Sequence, residues 1–150
     1  MNRAALILVI ICLTVPGTAR TDDECFSSFP RGIPLCTLLA EAKEHDDSSV
    51  LVEGIYVRQE HGSLLTTTAC AVSRPFVNLR SAPGFKQRDK VIDTLNSLTA
   101  KRKAVNVKIL GMFHVAPKGQ TFGPGGDHYE IEVITVLCAK LAPEKAGGAM

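Results

Sequence analysis

The chain has no tryptophan, and aromatic residues make up only 5 % of its 150 positions. A surface that stacks bases or sugars therefore has few rings to draw on. Charge of either sign is not in excess: the formal net charge is +2, which gives no bulk attraction to nucleic acid or to a membrane surface. The sequence lacks a G-x-S-x-G elbow and an H-E-x-x-H pair, and its histidines never stand at H-x-H or H-x-x-x-H spacing. No two cysteines have the close spacing that zinc sites prefer. Long hydrophobic runs are absent too. The longest, Ala4 to Val15, has 12 residues, whereas a membrane span needs about 20.

That run has another reading. Met1-Asn2-Arg3 is a basic start, Pro16-Gly17 breaks the apolar stretch, and Gly17-Thr18-Ala19 places small residues where a signal peptidase inspects them. The expectation is an export signal over residues 1–19, cleaved after Ala19, with a retained anchor as the alternative. Cys12 makes a poor lipidation site because bulky Ile10 and Ile11 precede it. Cleavage leaves 131 residues with a charge of about +1: one domain over 20–141 and a small, polar tail over 142–150. The remaining Cys25, Cys36, Cys70 and Cys138 are an even set in an exported chain, which reads as two disulfides. Buried free thiols are the alternative. Four cysteines allow three pairings, and the cysteines themselves leave these open.

One strand phrase occurs twice. Val50-Leu51-Val52-Glu53-Gly54-Ile55-Tyr56-Val57 and Val105-Asn106-Val107-Lys108-Ile109-Leu110-Gly111-Met112-Phe113 are both β-branched runs with an internal glycine, and an aromatic residue follows two places later. A glycine inside a strand marks a bulge or a tight bend, as where a sheet coils into a barrel. Around these phrases, residues 21–34 read as a loop and Leu35 to His45 as a helix. Val50 to Gln59 is the first strand, His61-Gly62 a turn, Leu64 to Ala71 the second strand, and Phe76 to Arg80 the third, entered through Pro75. A helix over 86–99 carries a stripe of Val91, Ile92, Leu95 and Leu98, with Arg88, Lys90, Asp93 and Asn96 toward water. The fourth strand begins at Val105 with Asn106 and Lys108 outward. A glycine-rich connection runs from Pro117 to Asp127, and the fifth strand reaches Cys138 with Glu130 and Glu132 outward. Three strands, a helix and two strands, with an extra N-terminal helix, is the order of a mainly-β, OB-fold-like five-stranded barrel. An open α+β sandwich of the same elements is the alternative.

The segments Leu35-Cys36-Thr37-Leu38-Leu39, Val50 to Tyr56 and Leu64-Leu65-Thr66-Thr67-Thr68-Ala69-Cys70 also resemble small, OB-fold-like exported bacterial proteins of unassigned function. The pattern is a cysteine opening a helix, a V-x-V-x-G-x-aromatic strand, then a leucine followed by a second cysteine. This resemblance implies a Cys36–Cys70 bridge pinning the leading helix to the end of the second strand. With it goes a Cys25–Cys138 bridge fastening the N-terminal loop to the last strand. It brings no catalytic residues.

In the barrel reading, the first hairpin turn and the 117–127 connection rim one surface. Tyr56, Arg58, Arg80, Lys118, Phe122 and His128 are the candidate ligand contacts, lying across the first three strands and those two connections. Phe122 also fits as a plug on which the long loop packs. Of Tyr56, Phe76 and Phe113, at least two belong to the core, and Arg74 adds a cation near the first strands. Lys101-Arg102-Lys103 is accounted for by the helix C-terminal dipole. The expected function is an exported, disulfide-braced binding or accessory module without catalysis, metal or cofactor. Its ligand would be a peptide, a glycan or an envelope protein, and nucleic acid is disfavoured. Two rivals remain open: a metal-dependent hydrolase using His61, Asp127 and His128, and a partner-directed inhibitor or structural component.

Overall fold

β-Branched residues alternating with polar ones pair readily as half-buried strands, and they do so here. The computed structural model describes residues 22–68, 70, 76–85, 87, 90–101 and 103–143. The expected export signal, Arg74, Pro75, Lys86, Arg88, Arg102 and the tail from 144 onward lie outside the described residues. In chain order the elements are α1 (Asp22–Ser28), β1 (Ile33–Pro34), α2 (Leu35–Ala40), α3 (Ala42–His45), β2 (Ser48–Gln59), β3 (Gly62–Thr66), β4 (Val77–Ser81), α4 (Lys90–Ala100), β5 (Val105–Val115) and β6 (Tyr129–Leu141).

Five of the strands close a mixed barrel. Their order is β2-β3-β4-β6-β5, and β5 pairs back onto β2 from Tyr56↔Val105 to Ser48↔Phe113. All neighbours are antiparallel except β4 and β6, which run parallel through Asn78↔Glu130 to Ser81↔Val133. This is the expected OB-fold-like barrel, with α4 between its third and fourth strands. Val52, Leu65, Val77, Val107, Ile109, Phe113 and Ile131 fill the interior, each at most 1 % exposed. From α4, Leu95 is buried while Val91, Ile92 and Leu98 pack on that core, as their helical spacing predicts. Leu35, Leu38, Leu39 and Ala42 bring α2 and α3 onto it as well.

The paired glycines mark where the wall is tightest. A Cβ on Gly54 would stand 2.8 Å from Leu65 Cγ, and one on Gly111 would stand 2.5 Å from Ile131 Cγ2 and 2.7 Å from the Glu132 carbonyl. The β5–β6 register shifts at Leu110/Gly111, so the second glycine also sits at a bulge.

The N-terminal segment departs from the expected loop. It forms α1 and the added strand β1, which pairs parallel with β2 at Ile33↔Val52 and Pro34↔Glu53. Polar Asp22–Ser28 has no apolar stripe to announce a helix, and its order comes from distant partners. Cys25 is bonded to Cys138, with Cα atoms 5.8 Å apart, and Cys36 to Cys70 at 5.4 Å. Each bridge contributes about 2–4 kcal/mol in a domain of this size. Two disulfides are the mark of an oxidising environment outside the cytosol. No helix among the described residues is long and apolar enough to cross a membrane.

Other boundaries also moved. The helix expected over 35–45 is interrupted at Glu41, which has φ −107° and ψ 26°. The hairpin turn is Glu60-His61, because Gln59 already pairs with Gly62. The second strand ends at Thr66, and Gln87 lies outside α4, whose described residues are Lys90–Ala100. Gln87 is instead a side-chain cap for β6. Its Nε2 donates to Val136 O (2.7 Å), and its Oε1 accepts from Val136 N (2.8 Å) and Thr135 Oγ1 (3.0 Å). The amide thus does the work of a neighbouring strand.

Lys108 and Glu130 are buried, contrary to their place in the alternation. Alternation assigned both to water, and both do point outward from the barrel, yet they are 1 % and 5 % exposed. Each is covered by a segment that sequence periodicity does not see. Lys108 lies beneath the N-terminal segment, where its Nζ donates to Phe26 O (2.9 Å) and Pro30 O (3.1 Å) and pairs with Glu53 at 3.0 Å. The Phe26 ring lies against both Lys108 and Lys140, with its centroid 5.6 and 4.7 Å from the two ammonium nitrogens.

Candidate functional site

A groove of about 360 Å3 opens between the Glu60-His61 turn and the connection from β5 to β6. Its walls are Gln59 at the end of β2, Leu64 on β3, Phe76 ahead of β4, and the run Gly125, Gly126, Asp127, His128 and Tyr129. Leu64 faces outward from β3 but is only 8 % exposed, whereas Phe76 is 38 % exposed. Tyr129 stacks on buried Phe113, with ring centroids 5.9 Å apart and planes 17° from parallel.

The connection is held by its own backbone. Gln120 N donates to Pro117 O (2.9 Å), and Phe122 and Asp127 exchange two bonds, N to O at 2.7 Å and N to O at 3.1 Å. Between them the chain turns through Gly123, whose φ of +61° suits glycine and whose missing side chain lets it rest on Asn78. Phe122 is half-buried in this arrangement, consistent with the plug reading.

The walls of the groove carry one unusual acid. Asp127 is half-buried, and among the described residues its carboxylate has no hydrogen-bond or ion-pair partner. Burial pushes its carboxyl above the usual range, and neighbouring His128 offsets this only in part. The ideal Cβ position of Gly125 lies 3.2 Å from Asp127 Oδ2, so the carboxylate rests against a residue with no side chain.

The six residues singled out from the sequence do not converge. His128 lines this groove. Lys118 is exposed in the turn at 117–120, and Phe122 is in the β-bridge with Asp127. Tyr56 and Arg58 line a second groove of about 480 Å3, with Val57, Thr99, Lys103 and Ala104. The Tyr56 hydroxyl is already hydrogen-bonded to Ser63 Oγ at 2.6 Å. Arg80 is the counter-ion of a buried acid: its Nε donates to Glu130 Oε1 (2.8 Å) and its Nη2 to Glu132 Oε2 (2.6 Å). Asn78 Nδ2 completes the set by donating to the other Glu130 oxygen at 2.7 Å. Glu130 holds the guanidinium above its ordinary basicity, and Glu132 adds to the effect. Of the three aromatic residues weighed, Phe113 is core, Tyr56 is packed against it, and Phe76 is left exposed.

His61, Asp127 and His128 do not gather within metal-binding range. The one such grouping among the described residues is Asp46, Asp47 and His114. Its atoms are engaged in fastening a turn to β5: His114 Nδ1 lies 2.8 Å from Asp47 Oδ1, and Asp46 Oδ1 accepts from Val115 N at 2.8 Å.

Gln59, Leu64 and Tyr129 carried no signal as site residues, since each fits an ordinary strand position. Asp127 was legible only as a metal-ligand candidate. When the chain is compared with protein-family models, curated proteins and solved structures, none matches.

Proposed function

We propose that this chain is a binding or accessory module of the periplasm or extracellular space, without catalytic activity, which holds a peptide, a glycan or an envelope protein in the groove between the Glu60-His61 turn and the 117–127 connection. The observation that carries this reading is the composition of the groove. Leu64, Phe76 and Tyr129 provide apolar surface, while Gln59, Asp127 and His128 supply a few polar groups beside it. Ligand sites are built in this proportion, with apolar area for affinity and sparse polar groups for orientation. Rigid backing supports the reading as well: the groove is mounted on a closed barrel braced by two disulfides.

A photo-crosslinking phenylalanine analogue at position 76, compared with one at exposed Asn96 on α4, tests the reading. Envelope extract and a glycan library are the two ligand sources. Adducts formed from position 76 and not from 96 are the expected result. Identical adducts from both positions, or none from 76 with either source, would overturn it.

A further inference from the structure

Among the described residues, the carboxylates that are not exposed belong to Glu53, Asp127, Glu130 and Glu132. Three of them have cations: Lys108 pairs with Glu53, and Arg80 with both Glu130 and Glu132. Asp127 alone has no ion pair among the described residues, only the electrostatic influence of neighbouring His128. A half-buried carboxylate without a donor gives up hydration and receives nothing in return. Its position is nonetheless fixed, because both backbone polar groups of Asp127 are tied to Phe122 and the side chain lies against Gly125. The fold therefore holds an acceptor in place, and no donor from the described residues reaches it.

The surface beside that acceptor specifies what kind of donor fits. Leu64, Phe76 and Tyr129 line the same groove, and Phe76 leaves a large ring open to solvent. A small hydrated cation has no use for this apolar surface, and a purely apolar ligand would leave the carboxylate further desolvated. A planar guanidinium on a methylene stem matches both. It pairs two N–H groups with one carboxylate, stacks on aromatic rings, and is weakly hydrated compared with an ammonium. A groove of about 360 Å3 is at the small end of ligand sites, which span about 300–1,000 Å3, and suits one long side chain better than an extended oligomer.

We infer that the groove holds an arginine side chain of a partner protein, with its guanidinium on the Asp127 carboxylate and its stem along Leu64, Phe76 and Tyr129. This rests on the binding-module reading and commits it to a protein ligand. Gln59 and His128 border the same space and give the partner backbone polar groups to meet.

The test uses the full-length protein and three capped pentapeptides, identical except for a central arginine, lysine or citrulline, followed by backbone amide chemical shifts. The arginine peptide is expected to move the signals of residues 59–64 and 125–129. It should bind about tenfold more tightly than the citrulline peptide, the range of one charge-assisted pair, with lysine between them. Asp127→Asn should bring the arginine peptide down to the citrulline level, while Arg58→Ala in the second groove should leave it unchanged. Equal binding of arginine and citrulline, or indifference to Asp127→Asn, would overturn the assignment. If citrulline moves the same signals with the same affinity as arginine, or a glycan moves them and no peptide does, the arginine assignment falls and the binding-module reading survives. If no peptide or glycan moves them, both fall.

Discussion

Glu53 and Asp127 are both half-buried acids on the outside of one barrel, yet their surroundings push them in opposite directions. For Glu53, burial raises the carboxyl pKa. The Gly32 N–H at 3.0 Å, the Lys108 ammonium and Arg31 together outweigh this and hold it below its ordinary value. For Asp127, burial acts with only His128 against it, and the carboxyl stays above its ordinary value. The difference teaches what each region is for. Around Glu53, the N-terminal segment, a disulfide and a buried lysine form a finished polar joint. Around Asp127, the joint has one half.

The largest way to break this comparison is to empty the finished side. Lys108→Met leaves Glu53 and the carbonyls of Phe26 and Pro30 without their cation. The expected loss is about 3–5 kcal/mol, read as a lower denaturation midpoint. Glu53→Gln keeps an acceptor for Gly32 and Lys108 but removes the charge, and should cost about 1–3 kcal/mol in the same measurement. Asp127→Asn removes an unpartnered charge and should change stability at neutral pH by about 0.5 kcal/mol or less, without loss. A loss at Asp127 comparable with that at Glu53 would mean that Asp127 has a structural partner and would end the contrast.

Acid titration sharpens the same comparison with the smallest effects. The folded pKa of Glu53 is below its ordinary 4.5. Its contribution is therefore present above that pH and is lost as pH falls through the lowered value. Wild type and Glu53→Gln should accordingly converge in stability on acidification below 4.5. Asp127 has the opposite sign. Its folded pKa is above 3.8, so its contribution is complete below that pH and is lost as pH rises through the raised value. Asp127→Asn should then differ from wild type only on the alkaline side, and in the stabilising direction.

Much of the barrel was legible in the sequence. Val50–Val57 and Val105–Phe113 each supply a local period of two, and the glycine in each phrase falls where opposing side chains leave no room for a Cβ. The site was far less legible. Its walls come from positions 59, 64, 76 and 125–129, and no spacing along the chain marks these as neighbours. Arg80 reads as a ligand contact in the sequence because Glu130 and Glu132 are about fifty residues away along the chain, although they are adjacent across the β4–β6 pairing. Asp127 reads as a metal-ligand candidate beside His61 and His128, whereas in the fold no hydrogen-bond or ion-pair partner among the described residues reaches its carboxylate.

By itself, the sequence determined the succession of the five barrel strands along the chain, their inward residues and the two close-packed glycines, because alternation and turn chemistry are properties of short segments. Only the tertiary structure decided which outward faces are covered and which acids find cations. Lys108 meets Pro30 across 78 residues, and Cys25 meets Cys138 across 113. Whether a charge is satisfied depends on what the fold brings within hydrogen-bond reach of it, and such distances are set only when the barrel closes.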